Sequence, residues 1–248
     1  MTSDSIADYN RLQREYFGQR IKKTMLPVRT PYVQRQVTEV VRVGCLRPGE
    51  KVLDVGCGMG RHAFLLAEKG LNVEGLELSP FLAEKMREFD RGKYRIPVHC
   101  ADLHDPPREL EGRYDAVVGF FVLHHLASLQ RAFSGVKRLL KAGGRAVFLE
   151  PNPANPLYYL QVLLTPGMRW AAEKGIRNMR GSALWREAKA AGMRLEKLER
   201  YGFFPPFVAN RWWGGIMDRK LERVRILHPI LPFQLFFFVR SDGFDSSR

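Results

Sequence analysis

Short apolar runs of strand length alternate with helical patterns between residues 51 and 150. The strands predicted from the runs are 51–55, 72–77, 96–101, 114–120 and 145–150. The helices predicted between them are 61–69, 80–90 and 129–140. This alternation with short connections predicts an α/β fold, in which a doubly wound and mostly parallel sheet is covered by helices on both faces.

Further elements are predicted on both sides of this core. Apolar residues at helical spacing predict amphipathic helices over 3–23 and 32–43, so residues 1–46 are interpreted as a helical N-terminal extension or lid. A helix over 182–191 and strands over 194–203 and 233–240 complete a seven-stranded sheet in one domain, 47–248. Prolines and aromatic residues interrupt the pattern at about 151–181 and 204–232, which predicts C-terminal cap insertions.

A glycine-rich turn follows the first strand. Gly56, Gly58 and Gly60 allow the backbone to approach a ligand closely, and the helix that follows directs free amides toward it. The dinucleotide fingerprint has its third glycine one residue later, so this spacing disfavours NAD. Glu77 closes the second strand about 20 residues after the first glycine, where a carboxylate can accept both hydroxyls of a ribose. The pattern therefore predicts a nucleoside ligand at the carboxyl ends of the strands.

Five stretches occur in an order that resembles a known family. They are Val-Leu-Asp-Val-Gly-Cys-Gly-Met-Gly-Arg at 52–61, Glu-Leu-Ser-Pro at 77–80, Asp-Leu at 102–103, Asp-Ala-Val-Val at 115–118 and Leu-Leu-Lys-Ala-Gly-Gly at 139–144. In this order they resemble the class I S-adenosylmethionine-dependent methyltransferases, in particular the branch of quinone-biosynthesis and small-molecule methyltransferases. The resemblance implies a Rossmann-like methyltransferase fold and S-adenosyl-L-methionine as the methyl donor.

The resemblance also implies roles for individual residues. Glu77 is expected on the ribose, Leu78 against the adenine, and Asp102 with the Leu103 backbone at the adenine amino group. The other expected donor-binding residues are Asp54, Gly56, Cys57, Gly58, Gly60 and Phe120. Taken singly, the aspartates also suit turn caps and Leu78 suits an ordinary core position. A donor-binding regulatory protein without catalysis would need the same residues, so it stays an alternative.

Two histidines follow the fourth predicted strand. The donor sulfonium implied by the resemblance carries an activated methyl group, so the enzyme mainly aligns an acceptor for in-line displacement. An oxygen or acidic carbon acceptor must also lose a proton, which a nearby histidine can take. His125 and His124 are the candidates for this base, and His125 is equally well interpreted as a structural residue. His99 and His104 are weaker candidates.

Aromatic residues outside the core suggest a lipophilic or aromatic acceptor. Those that can form a roof over the donor are Tyr9, Tyr16, Phe17, the leucines between 157 and 164, Phe203, Phe204, Phe207, Trp212 and Trp213. An ordinary core beneath a long cap is the alternative. The Trp and Phe residues interleaved with Arg211, Arg219, Arg223 and Arg225 also suit contact with an anionic membrane surface.

The formal net charge is +14, and most of the positive excess lies outside residues 51–150. It suits an anionic partner, or simply a solvated basic surface. Methylation of RNA is the weaker alternative, because Gly119-Phe120-Phe121 stands where base amino-group methylases have an Asn or Asp, two prolines and an aromatic residue. The three cysteines have no disulfide or metal-site spacing, and no metal is expected. With no signal-peptide pattern and no long apolar run, we expect a cytoplasmic protein, with peripheral membrane contact as an extension of that prediction.

Overall fold

A seven-stranded sheet forms the centre of the protein in the computed structural model, which describes residues 3–18, 21, 25–164 and 174–241. The strands in chain order are β1 (Lys51–Val55), β2 (Asn72–Glu77), β3 (Val98–Cys100), β4 (Tyr114–Phe120), β5 (Leu140–Pro151), β6 (Met193–Tyr201) and β7 (Phe233–Arg240). Their order across the sheet is β3-β2-β1-β4-β5-β7-β6, and only β7 runs antiparallel to its neighbours. The predicted mostly parallel α/β sheet is confirmed.

Helices cover both faces of this sheet. They are α1 (Ser3–Gly18), α2 (Pro31–Val43), α3 (Ala63–Glu68), α4 (Pro80–Asp90), α5 (Leu129–Leu139), α6 (Pro156–Leu164), α7 (Gly181–Ala190), α8 (Pro206–Ala209) and α9 (Gly214–Leu221). Helices α2 and α3 pack on one face, and α5 and α7 pack on the other. No helix in the described part of the chain combines the length and apolar character needed to cross a membrane.

Alternation along the strands divides the core into two layers. Val52 and Val118 face the layer under α2 and α3, whereas Leu53 and Val117 face the layer under α5 and α7, and all four are fully buried. Since successive side chains of a strand point to opposite faces, central strands covered on both sides must be apolar throughout. This is why β1 and β4 read as continuous apolar runs.

Several boundaries differ from the sequence prediction, most of them by one or two residues. Strand β3 begins at Val98 and not at residue 96, since Pro97 has no N–H to donate to the ladder. Strand β5 begins at Leu140, which pairs with Tyr114 before an irregularity that lasts to Arg145. Helix α1 ends at Gly18, and of the remaining predicted residues, 19, 20, 22 and 23 lie outside the described ranges.

Side-chain amides connect the segment after β5 to the segment before β7. Asn152 Nδ2 donates to Pro229 O at 2.8 Å and to Leu231 O at 2.7 Å. Asn155 Nδ2 donates to Ile230 O. These bonds place the beginning of α6 beside the segment that leads into β7.

Candidate active site

The glycine turn after β1 is shaped by packing below and open space above. Gly56, Gly58 and Gly60 have φ values of +68°, +53° and +84°, in the left-handed region that favours glycine. A Cβ at Gly56 would lie 2.5 Å from Val122 Cγ2, and one at Gly60 would lie 2.5 Å from Phe64 Cζ. At Gly58 the nearest atom to such a Cβ is 4.0 Å away. The turn therefore leaves room at Gly58 for a ligand to approach the backbone.

Two buried carboxyl groups lie at the carboxyl ends of β1 and β2. Glu77 is 7% exposed, and its two oxygens accept the N–H groups of Gly58 and Ser79, each at 2.9 Å. Burial raises the pKa of Glu77, although these backbone hydrogen bonds oppose the effect. Burial, and then the charge of Glu77, raise the pKa of Asp54 well above its usual value. A cationic ligand beside this pair would favour its ionised form.

Cys57 presents only its backbone to the turn. Its side chain is buried against β2, where a Cβ at Gly75 would lie 2.6 Å from the Cys57 sulfur. Burial, followed by the charges of Glu77 and Asp54, raises the pKa of this thiol well above its usual value. The thiol is therefore neutral and unreactive.

Asp102 lies just beyond β3, beneath the N-terminal helix. Its Oδ1 accepts the backbone N–H of His104 at 2.9 Å and lies 2.7 Å from His104 Nδ1, and its Oδ2 accepts from Asn10 of α1. Burial alone would raise the pKa of Asp102, but the bonds from His104 and Asn10 outweigh it and lower that pKa. Leu103 beside it is buried, and Leu78 after β2 is half-buried.

The two weaker histidine candidates form hydrogen bonds within the protein. Ser128 N–H donates to His104 Nε2 at 3.3 Å, so both ring nitrogens of His104 have partners. His99 Nε2 lies 2.8 Å from Glu74, which also accepts from Tyr114 at the opposite end of β4.

Aromatic residues occupy the end of β4. Phe120 is buried and stacks on His62, with ring centroids 4.1 Å apart and 5° between the planes. Phe121 has φ +57°, which is uncommon for a residue with a Cβ and costs on the order of 1 kcal/mol. Its ring lies 5.7 Å from that of Phe233, which in turn lies 5.3 Å from Tyr201. An aromatic cluster thus lies along the sheet edge where β4 and β6 end and β7 begins, and it consists of Phe120, Phe121, Phe233 and Tyr201.

A fully buried carboxylate at the end of β5 organises the loop after β4. Glu150 Oε1 accepts the N–H groups of Val122 and Leu123 at 2.9 and 2.7 Å. Its Oε2 lies 2.6 Å from Nδ1 of His124, which is 3% exposed. Because the carboxylate accepts, Nδ1 of His124 carries the hydrogen. The half-buried His125 ring packs 4.0 Å from the His124 ring.

Sequence reasoning missed His62 and Glu150. His62 is buried beside the glycine turn and lies 2.9 Å from Gln36, and burial together with Arg61 lowers its pKa to about 3. Glu150 had a usable signal, since it is an acidic residue closing an apolar strand at the same sheet edge as Glu77. His62 had none, because its contacts come from α2 and β4.

The expected aromatic roof is only partly present. Phe207 and Trp212 are 74% and 86% exposed, and Leu157 and Leu163 of α6 are also exposed, so these side chains face away from the core. Trp213 is 41% exposed. The side chains of Tyr16, Phe17, Leu160 and Leu164 lie outside what the structure describes.

A family model for a methyltransferase domain matches residues 52–144. The chain is 30% identical over 166 residues to a ubiquinone biosynthesis O-methyltransferase of Dechloromonas aromatica, covering 63% of this chain and 70% of that protein. It is 26% identical over 184 residues to the enzyme of that name from Coxiella burnetii, covering 72% and 75%. The matched residues include the glycine turn, Asp54 and Glu77.

Solved structures share the fold. The geranyl diphosphate C-methyltransferase of Streptomyces coelicolor superposes with a TM-score of 0.61 at 16% identity, covering 94% of this chain and 97% of that one. A phosphoethanolamine N-methyltransferase of Haemonchus contortus, solved with S-adenosyl-L-methionine, gives 0.59 at 17% identity, covering 84% and 53%. Together with the relatives and the matched domain, the open space at Gly58 and the carboxylates at the strand ends fit this donor. The chain belongs to the class I S-adenosylmethionine-dependent methyltransferases and is an enzyme of that family.

Proposed function

We propose that this enzyme transfers a methyl group from S-adenosyl-L-methionine to a small, lipophilic or aromatic acceptor, with oxygen favoured over acidic carbon. One observation carries the proposal. The donor-side carboxylates and the aromatic cluster lie at the same sheet edge, with the His124–Glu150 pair between β4 and β5. A mostly apolar site with a few placed polar groups suits a small lipophilic acceptor. The names of the ubiquinone biosynthesis relatives support oxygen as the methylated atom.

The donor is assigned to the edge formed by β1, β2 and β3. Glu77 would accept the ribose hydroxyls, Leu78 would cover the adenine, and Asp102 with the Leu103 backbone would bind its amino group. The methionine part would lie along Asp54, Gly56, Cys57, Gly58 and Gly60, with Phe120 behind it, and Cys57 would contribute through its backbone. When bound, the donor supplies an activated methyl group on its sulfonium.

His125 is proposed as the general base and His124 as its positioning residue. Glu150 holds both the loop and the His124 ring, and the packed rings then fix His125 beside the acceptor position. The acceptor hydroxyl gives its proton to His125. The oxygen lone pair takes the methyl group as the carbon–sulfur bond breaks, and S-adenosylhomocysteine leaves.

The remaining parts of the chain complete the proposal. Residues 1–46 would act as a lid, which the contact between Asn10 and Asp102 supports. Residues 47–248 would form the methyltransferase domain, with caps at about 151–181 and 204–232. Because a lipophilic acceptor partitions into membranes, the proposal includes contact with an anionic membrane surface.

The test is incubation of the enzyme with donor and a panel of acceptors, followed by mass spectrometry. The panel contains hydroxylated aromatic compounds with and without long apolar tails, and total RNA. We expect a gain of one methyl group on the phenolic oxygen of a tailed compound. Methylation of RNA instead would overturn the proposal. So would donor binding without any methylated product, either from the panel or from a second incubation with extracted metabolites.

A further inference from the structure

The second insertion turns its acidic side chains toward the protein. Arg35 of α2 makes ion pairs with Asp218 and, at 2.6 Å, with Glu222. Asp218 also accepts the N–H of Phe204 at 2.8 Å, and Glu222 accepts that of Gly202 at 2.6 Å. Asp218 is 4% exposed although it lies on a short surface helix. The insertion is therefore anchored by polar contacts on its inner side.

The outer side of the same insertion is apolar, the reverse of the usual arrangement of a surface helix. Its large exposed side chains are Phe207, Trp212, Trp213, Ile216, Met217 and Ile226, and their exposed fractions run from 41% to 86%. Single exposed apolar residues are normal, but a group of this size within 20 residues marks a contact surface.

Basic residues are interleaved with these apolar ones. Arg211, Arg219, Lys220, Arg223 and Arg225 are all exposed. Over residues 3–18, 21, 25–164 and 174–241, none of the five has a side-chain ion pair, because both acidic residues of the insertion are paired with Arg35. The outer side thus combines Trp, Phe and Ile with uncompensated positive charge.

We propose that residues 205–230 are the docking face for an anionic lipid bilayer. Aromatic rings and aliphatic side chains enter the headgroup boundary, while Arg and Lys meet acidic headgroups, and this chain supplies both on one face. Leu157 and Leu163 of α6 are also exposed, and Asn155 holds the start of that helix beside Ile230. A protein partner would not require five unpaired basic residues around the aromatic ones.

The docking face is joined directly to the proposed acceptor side. It ends at the buried Leu231, two residues before Phe233 of the aromatic cluster. The docking face is therefore next to the aromatic cluster along the chain, an arrangement that would deliver a lipophilic acceptor from the bilayer to this side of the enzyme. This delivery step rests on the proposed methyl transfer, whereas the membrane contact included in the proposed function is tested separately from catalysis.

Flotation with vesicles, without acceptor or donor, tests the docking face. The full-length enzyme is expected to float with phosphatidylglycerol–phosphatidylcholine vesicles and not with pure phosphatidylcholine. Each basic residue near an anionic surface contributes about fivefold, so Arg219→Gln/Lys220→Gln/Arg223→Gln is expected to bind about 100-fold more weakly. Trp212→Ala/Ile226→Ala is expected to lose at least about tenfold. The matched control is Trp185→Ala, which removes an exposed tryptophan from α7.

Three results would overturn the proposal. The first is that Trp185→Ala binds vesicles as weakly as the docking-face variants do. The second is that flotation does not depend on acidic lipid. The third is that light scattering shows dimers of the enzyme and that Trp212→Ala/Ile226→Ala abolishes them. Methylation of a water-soluble phenol is expected to be unchanged in the docking-face variants. Failure of membrane binding is thereby separated from failure of the proposed function.

Discussion

The proposed donor side and the proposed acceptor side of the sheet edge are built in different ways. On the donor side, the geometry is set mainly by the backbone, through glycines in left-handed conformations and amides that donate to Glu77. On the acceptor side, buried side chains hold one another, with Glu150 fixing His124 and aromatic rings packed at β4 and β7. A ligand common to a whole family can be bound by a backbone motif, whereas acceptor specificity needs side chains that differ between members.

The histidine pair gives the sharpest test of this comparison. His125→Ala is expected to lower turnover by about 10²- to 10⁴-fold, since it removes the proposed base, while the dissociation constant for the donor stays the same. His124→Ala is expected to lower turnover less and to keep the rise of kcat/KM with pH that the base produces. Steady-state kinetics over a pH series measure the turnover number and the pH dependence of kcat/KM, and calorimetry measures the dissociation constant for the donor. An unchanged turnover number in His125→Ala would rule out His125 as the base. If the rise of kcat/KM with pH were lost only in His124→Ala, His124 would be the base and His125 the positioning residue.

Gly58 tests the donor side with a matched control. Gly58→Ala places a methyl group in the open space above the turn and is expected to weaken donor binding by about 100-fold, the effect of losing one or two backbone contacts to a charged ligand. Gly112→Ala imposes a similar backbone strain, with φ +62° and no atom within 4 Å, at a site away from the turn. Both should lose about 1 kcal/mol in free energy of unfolding. Equal donor affinity in the two variants would show that the space at Gly58 is not used.

The two sides also differ in how far sequence could predict them. The residues of the donor side lie in short sequence motifs at the ends of β1, β2 and β3. The sequence therefore placed the glycine turn, Glu77 and Asp102 at the correct strand ends. Glu150 contacts a loop 26 to 28 residues earlier, and Asn10 reaches Asp102 across 92 residues. Nothing local encodes such contacts. The exposure of Phe207 and Trp212 was equally hidden, since it follows from the inward ion pairs with Arg35.

His62 lies where the two sides meet and predicts a pH effect on stability. An ordinary histidine in the unfolded chain has a pKa of about 6.5, whereas burial holds the folded pKa of His62 at about 3. Between these values the unfolded chain binds a proton that the folded chain does not. The free energy of unfolding should therefore fall as pH drops below about 6.5, by about 2 kcal/mol from this group at pH 5.

Urea denaturation at pH 7.5 and at pH 5 measures this effect in the wild type and in His62→Gln. The variant should be less stable at pH 7.5, because it loses the stack on Phe120, but should lose about 2 kcal/mol less on acidification. Parallel changes in the two proteins would mean that His62 titrates normally. The residue between the proposed donor and acceptor sides, His62, would then not be a neutral histidine in the folded protein.

The contact between Asn10 and Asp102 is expected to have the smallest effect, and it joins α1 to the proposed donor side across 92 residues. Asn10→Ala removes the hydrogen bond to Asp102, worth about 1 kcal/mol net, or roughly a fivefold faster dissociation of the donor. The change should appear in the off-rate, because α1 is proposed to close over a donor that the glycine turn would already hold. Stopped-flow release of S-adenosylhomocysteine measures it, with Asp8→Ala on the exposed side of α1 as the control. A slower release in Asn10→Ala would mean that Asn10 competes with the adenine for Asp102, and α1 would then oppose donor binding instead of supporting it.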